Sequence, residues 1–185
     1  MPSEQGWESL KGRLLLAGAG IGGDAFRQTV ILMAEHDEKG ALGFVLNHPS
    51  RSLIEEIVPS LELPPVIDDR FYLGGPVQPE IVAILAEFED PVDAPKIVFG
   101  SIGFAPADDP AASGRITRGR AFAGYAGWGP GQLEGEMEEG GWLVETPTPD
   151  DVFTSDPENL WRTVVRRKGS EFKLLSTMPF DPSSN

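Results

Sequence analysis

The chain of 185 residues contains no cysteine. That removes disulfide scaffolds, zinc–thiolate sites and thiol nucleophiles together, and it is in keeping with a reducing compartment. Histidine is scarce, with only His36 and His48. Cationic side chains are outnumbered, 15 Lys and Arg against 29 Asp and Glu, for a net charge of −14. Nucleic-acid affinity rests on Lys and Arg displacing counterions from phosphates, so this balance argues against direct DNA contact. The one basic cluster, Arg162, Arg166, Arg167 and Lys168, falls at the C-terminal end of an expected helix, where it complements the helix dipole. No apolar run reaches the ~18 residues of a membrane span. The opening stretch MPSEQGWESLKGR lacks the basic-then-apolar order of a signal peptide. A cytoplasmic protein without membrane contact is expected.

What is present suits a globular domain. Apolar residues make up 40% and charged residues 24% of the chain. Area scaling gives about 8,700 Å² folded against about 29,000 Å² extended, enough for a core without metal or disulfide support. The expected organisation is a flexible lead-in over 1–11, one domain over 12–180 and a tail over 181–185.

Continuous apolar runs predict buried strands at RLLLA (13–17), TVILMAEH (29–36) and ALGFVLNH (41–48). The last two are joined as a hairpin by a four-residue loop, Asp37 to Gly40. Ser52 and Glu55 have capping-box spacing ahead of a short helix. RFYLGGPV reads as strand then tight turn, EIVAILAEF as helix or strand with strand preferred, and KIVFGSIGF as one strand. A polar loop spans 105–114, RGRAFAGYAGW is extended, and Pro130 stands at the first position of a helix. WLVET and EFKLLSTM read as strands. Between them, Ser155 and Glu158 cap a helix whose apolar face is Leu160, Trp161, Val164 and Val165. Short helices among strands, with an early antiparallel hairpin, indicate a mixed α/β sheet rather than regular βαβ alternation.

One motif demands a test. Gly18-Ala19-Gly20-Ile21-Gly22-Gly23 matches G-x-G-x-x-G after an apolar run. A dinucleotide fingerprint also needs a helix opening at the third glycine and an acidic residue about 20 positions on, after a parallel strand. Here only DAFRQ separates Gly23 from a hairpin strand, so no nicotinamide or flavin cofactor is expected. Metal is not expected either. In a registered hairpin, seven residues at about 3.4 Å each hold His36 and His48 roughly 24 Å apart, and no H-E-x-x-H spacing occurs. Nor does GSIGF around Ser101 match a nucleophile elbow. The segment GYAGWGPGQLEGE, 124–136, admits two readings: a tight strand-to-helix corner, or a pocket where glycines let a ligand approach the backbone.

GYAGWGPGQLEGE, together with FRQTVILMAEHDEKGALGFVLNHPS and LGGPV, closely resembles the AlgH/YqgE family of bacterial proteins over about 12–178. The resemblance implies an α/β fold whose mixed, largely antiparallel bifurcated sheet curls into a pseudo-barrel with helices packed outside. It implies no established catalytic activity or cofactor, although some members carry a transcriptional-regulator label. Recurring family positions fall on Phe26, His36, Gly40, Gly43, Asn47, Pro49, Gly74, Gly75, Pro76, Tyr125, Gly127, Trp128, Gln132 and Glu134. Relatives usually carry a proline-containing turn leading to Asp-x-x-Phe; this chain has the glycine run and Asp24-Ala25-Phe26. The reactive-cysteine chemistry suggested for some relatives has no counterpart here.

The expectation is a non-enzymatic binding or regulatory module, for a small ligand or a protein partner. Its pocket would be built from His36, Asn47, Pro49, Gly74, Gly75, Pro76, Tyr125, Gly127, Trp128, Gln132 and Glu134. The alternative is a small hydrolase or transferase with His36 or Glu134 as general base.

Overall fold

The computed structural model describes residues 8–18 and 28–169. The glycine-rich turn beyond Gly18 and the strand expected at EFKLLSTM lie outside the described residues. Ten strands form one mixed sheet: β1 (Leu14–Ala17), β2 (Val30–Asp37), β3 (Gly40–Val45), β4 (Pro49–Leu53), β5 (Ile67–Leu73), β6 (Val77–Phe88), β7 (Lys96–Phe99), β8 (Ile102–Ala105), β9 (Ile116–Trp128) and β10 (Trp142–Glu145). Four short helices accompany them: α1 (Ile54–Ile57), α2 (Gln132–Glu138), α3 (Pro149–Val152) and α4 (Leu160–Lys168).

The main path runs β10-β1-β2-β3-β9-β6-β8-β7, antiparallel at every step. It branches at β9. One edge of β9 pairs with β6; the other is divided between β5, in parallel, and β3, antiparallel. Gly74 stands at the fork, where its N–H donates to Ala123 O and its carbonyl accepts from Val45 N. Only glycine fits there, since a Cβ at Gly74 would lie 2.3 Å from Gly124 O. The next residue, Gly75, has φ +154 and would place a Cβ 2.2 Å from the Tyr125 carbonyl carbon. The LGGP sequence is thus a requirement of the branching.

Side-chain alternation along the strands sorts the core into three clusters. Leu14, Leu16, Val30, Leu32, Phe44, Leu85 and Phe122, from both arms of the sheet, meet Leu160, Trp161, Val164 and Val165 of α4 on one shared face. On the opposite face, Leu15, Ile31, Met33, Trp128 and Trp142 pack with Leu133 of α2. Behind the other arm, Ile67, Phe71, Ile84 and Phe88 pack with Ile54 of α1. Each fully buried side chain of this kind contributes about 1.5–3 kcal/mol. The apolar runs of β1 and β2 are continuous because both faces are covered.

The mixed, largely antiparallel α/β sheet matches the expectation from sequence, but among the described residues the sheet is not closed into a barrel, since β10 and β7 stand at the two ends of its main path. Several local expectations are corrected. Asp37 pairs with Gly40, so the hairpin loop is the two residues Glu38 and Lys39. KIVFGSIGF is two strands, β7 and β8, because Gly100 takes φ +51 and turns the chain. Helix α1 begins one residue later than the Ser52–Glu55 box implies, with Leu53 N–H donating to Glu56 Oε2 at 2.8 Å. Ser52 instead belongs to strand β4, which the sequence does not announce. Pro130 precedes the Gly131 cap of α2 rather than opening the helix. The Ser155–Glu158 box gives way to a single 3₁₀ turn, Pro157–Asn159, before α4 starts at Leu160.

Candidate functional site

The residues singled out from sequence separate into three places. At the fork, Asn47 is a backbone clip: its amide nitrogen donates to Gln28 O at 2.9 Å and its Oδ1 accepts from Val30 N at 3.0 Å. Pro49 begins β4 opposite Tyr72, and Gly74, Gly75 and Pro76 form the turn against β9. These residues are occupied by the fold.

A second group joins α2 to the sheet. His36 is buried, and its Nδ1 accepts from the backbone N–H of Leu10 at 3.0 Å. An acceptor nitrogen carries no proton, so Nε2 bears the hydrogen and donates to Glu134 Oε1 at 2.9 Å. The ring therefore fastens Leu10 on one side and α2 on the other, while Ser9 Oγ donates to the backbone carbonyl of His36. Both its nitrogens are engaged, which leaves no lone pair on His36 for proton abstraction. Beside it, the indole N–H groups of Trp128 and Trp142 both donate to Glu136 Oε2, at 2.9 and 2.8 Å. Gln132 caps this corner, accepting from Gly129 N and donating to Glu136 Oε1. The two indoles meet edge to face, 6.0 Å between ring centres.

The third place is open. Tyr125, Gly127 and Trp128 line a cleft of about 480 Å³ whose other walls include Glu35, Leu42, Val77 and the Asp37–Lys39 hairpin turn. A second hollow of about 340 Å³ shares Glu35, Leu42 and Tyr125 with it, and continues over Phe44, Ile81, Ala83, Lys96 and Phe104. Both volumes lie in the range of small-molecule sites. Every lining residue comes from a strand or a hairpin turn. Glu35 and Lys96 form an ion pair between β2 and β7 where the hollows adjoin. One wall is the irregular start of β6, where Val77 pairs with Tyr125 but Val82 with Ala123. Gln78 within it takes φ +47, unusual for a residue with a side chain, and its Oε1 accepts from the Tyr125 hydroxyl at 3.0 Å.

Three of the eleven sequence-chosen residues thus face the groove. Of its remaining walls, the hairpin turn and Gly40 were singled out from sequence only as a turn and a family position; the others are ordinary strand residues, signalled at most by Glu35, a charge interrupting the apolar run VILMAEH. Elsewhere, the buried Arg120 guanidinium lies 4.1 Å over the Tyr72 ring and bonds Asp68 and the carbonyls of Val152 and Thr154. His48, partly buried, has its pKa pushed below the usual histidine value by desolvation. No group of three or more potential metal ligands occurs among the described residues.

The sequence matches the AlgH-like family model over residues 14–173. The chain belongs to the AlgH-like family. Among its relatives, a UPF0301 protein of Streptomyces avermitilis is 39% identical, covering 96% of each chain. One from Chlorobium limicola is 36% identical, covering 94% of this chain and 95% of its own. The crystal structure of a Corynebacterium diphtheriae protein superposes with a TM-score of 0.81 at 26% identity, over 93% of both chains. The solution structure of the AlgH protein from Pseudomonas aeruginosa gives 0.72 at 29% identity, over 97% of this chain and 96% of that one. These relatives match nearly the whole chain and bring no established activity. Among the described residues, no helix is long and apolar enough to cross a membrane.

Proposed function

We propose that this AlgH-like chain is a non-catalytic binding module whose ligand occupies the groove around Tyr125. The observation that carries this reading is the pair of adjoining hollows, walled by strands and one hairpin turn and meeting at Glu35, Leu42 and Tyr125. Walls built on hydrogen-bonded strands favour affinity, because their backbone is already ordered before binding. The strained Gln78, held by Tyr125, fits a wall shaped for a purpose other than stability. The enzyme alternative is disfavoured by the double engagement of His36, whose partner Glu134 is thereby oriented toward the sheet.

In this reading the curled, open sheet is the pseudo-barrel of the family, and the groove lies on its shared face. Any regulatory role of the kind some AlgH-like proteins are labelled with would run through the bound ligand or a protein partner. Direct DNA contact is opposed by the net charge of −14. The working compartment is the cytoplasm.

A Gly127→Val variant tests the site. Gly127 is exposed on β9, and the nearest atoms to a Cβ there would be those of the Tyr125 ring and Val77, in ordinary contact at 3.4 Å and beyond. The substitution fills the cleft with a β-favouring side chain. In a thermal-shift screen of metabolites, compounds that raise the Tm of the wild type are expected to lose that effect in Gly127→Val. Shifts that survive unchanged would place the ligand elsewhere.

A further inference from the structure

Building on that reading of the groove, we infer that its ligand is a small organic cation, a primary ammonium or guanidinium carrying an apolar body. The groove already holds such a group. Lys96, reaching across from β7, sets its ammonium on the Glu35 carboxylate at the seam of the two hollows. Glu35 faces both hollows, whereas Lys96 lines only the smaller one. The internal ammonium is thus a stand-in that shows which charge the seam accepts.

It is also a replaceable one. Both side chains are about half exposed, and exposed pairs of this kind contribute little to stability. A ligand cation can take the Glu35 carboxylate while Lys96 swings into solvent, where an ammonium is well hydrated. Around the carboxylate the walls are apolar and aromatic: Leu42, Val77 and Tyr125 on one side, Ile81 and Phe104 on the other. Aromatic rings attract cations over anions, and the apolar walls accept a hydrocarbon body. At the rim, Asp37 and Lys39 carry opposite charges, and the Asp37 carboxylate accepts from the backbone N–H of Lys39. The field of the whole chain, at −14, decides the sign in favour of a cation.

The test titrates the full chain at low salt with n-hexylguanidinium, hexanoate and 1-hexanol, three probes of similar length and different charge, followed by backbone amide NMR shifts. Hexylguanidinium is expected to move amides of β2, β3 and β9, and hexanoate to move none. Lys96→Met removes the internal competitor and is expected to tighten hexylguanidinium binding by up to about fivefold. Glu35→Gln is expected to weaken it by about fivefold or more, and added salt to weaken it further. All substituted residues are exposed enough to leave the Tm near that of the wild type, which is measured alongside. Hexanoate or hexanol binding as tightly as hexylguanidinium overturns the inference, as does Lys96→Met leaving affinity unchanged or lower. Should those two probes bind and Gly127→Val block them, the groove stands as a site while its preference for cations fails. With no probe moving groove amides, both readings fall.

Discussion

Replacing Glu136 by alanine should cost the protein about 3 kcal/mol, through two hydrogen bonds ending on one oxygen. Trp128 and Trp142 donate to Glu136 Oε2 at 2.9 and 2.8 Å. Hydrogen bonds to a charged group are worth about 1.5–3 kcal/mol each. These are partly buried, so the lower end of the range applies to each. Gln132 loses its acceptor as well, at a more exposed and cheaper position. For a chain of this size, 3 kcal/mol corresponds to a fall in Tm of about 6–12 °C. The same change admits water to the edge-to-face indole pair, so tryptophan emission should move to longer wavelength before any unfolding. Glu136→Gln keeps an acceptor without the charge and should recover about half the loss. Urea unfolding monitored by fluorescence gives both quantities from one titration. A loss under about 1 kcal/mol, or unchanged emission in Glu136→Ala, would show that α2 is held by Leu133 packing rather than by the carboxylate.

Two further outcomes follow from buried charge. Arg120→Met removes the guanidinium that bonds Asp68, Val152 O and Thr154 O; since Asp68 remains partly solvated, the expected loss is about 2–4 kcal/mol, read by urea unfolding, with faster amide exchange in α3. Desolvation holds His48 below the ordinary histidine pKa of about 6.5, so the unfolded chain takes up a proton that the folded chain resists. Stability from this source is complete above about pH 6.5 and declines as the pH falls toward the folded value. His48→Gln should therefore flatten the difference in urea midpoint between pH 7.5 and 5.5, and an unaltered difference would refute the assignment.

Much of the sheet was legible because its strands are covered on both faces, and continuous runs such as LLLA and VILMA betray that. EIVAILAEF resolves to strand β6, as its flanking turn signals favoured. Expectations resting on capping spacing fared worse. The Ser52–Glu55 and Ser155–Glu158 pairs have the right interval, but β4 claims Ser52 for pairing near β5, and Pro157 opens a 3₁₀ turn instead of an α-helical one. Strand β4 gave no warning, because its stability is tertiary; helix α3 did carry a local signal, Thr148 and Asp151 at capping-box spacing around Pro149, which went unread. Arg70 caps the β4 carbonyls of Ser50 and Arg51, and Asp151 of α3 is held by Arg167 from α4. The groove was only partly legible for a similar reason. GYAGW announced something unusual, but Glu35, Val77 and Lys96 join it from strands far apart in sequence, and no local pattern encodes that meeting.

Strand β9 links the demands of folding to those of the proposed site. A strand that pairs with β6 along one edge and divides the other between β5 and β3 must admit backbones closer than ordinary side chains allow. Its sequence AFAGYAGW is accordingly small at alternate and successive positions. Gly124, at φ +70, would place a Cβ 2.6 Å from Gly75 O, so its glycine belongs to the fork. Gly127 is different: it is exposed, its backbone is ordinary, and the nearest neighbours of a Cβ there, Tyr125 and Val77, lie at ordinary contact distance. Folding therefore does not require glycine at 127, whereas an open cleft does. That contrast, between a glycine the branch needs and one only the cavity needs, separates the corner from the pocket within GYAGWGPGQLEGE. In the proposed reading the segment serves as both: Gly124 and the Trp128–Glu136 corner hold the fold, and Tyr125 with Gly127 forms a wall of the proposed site.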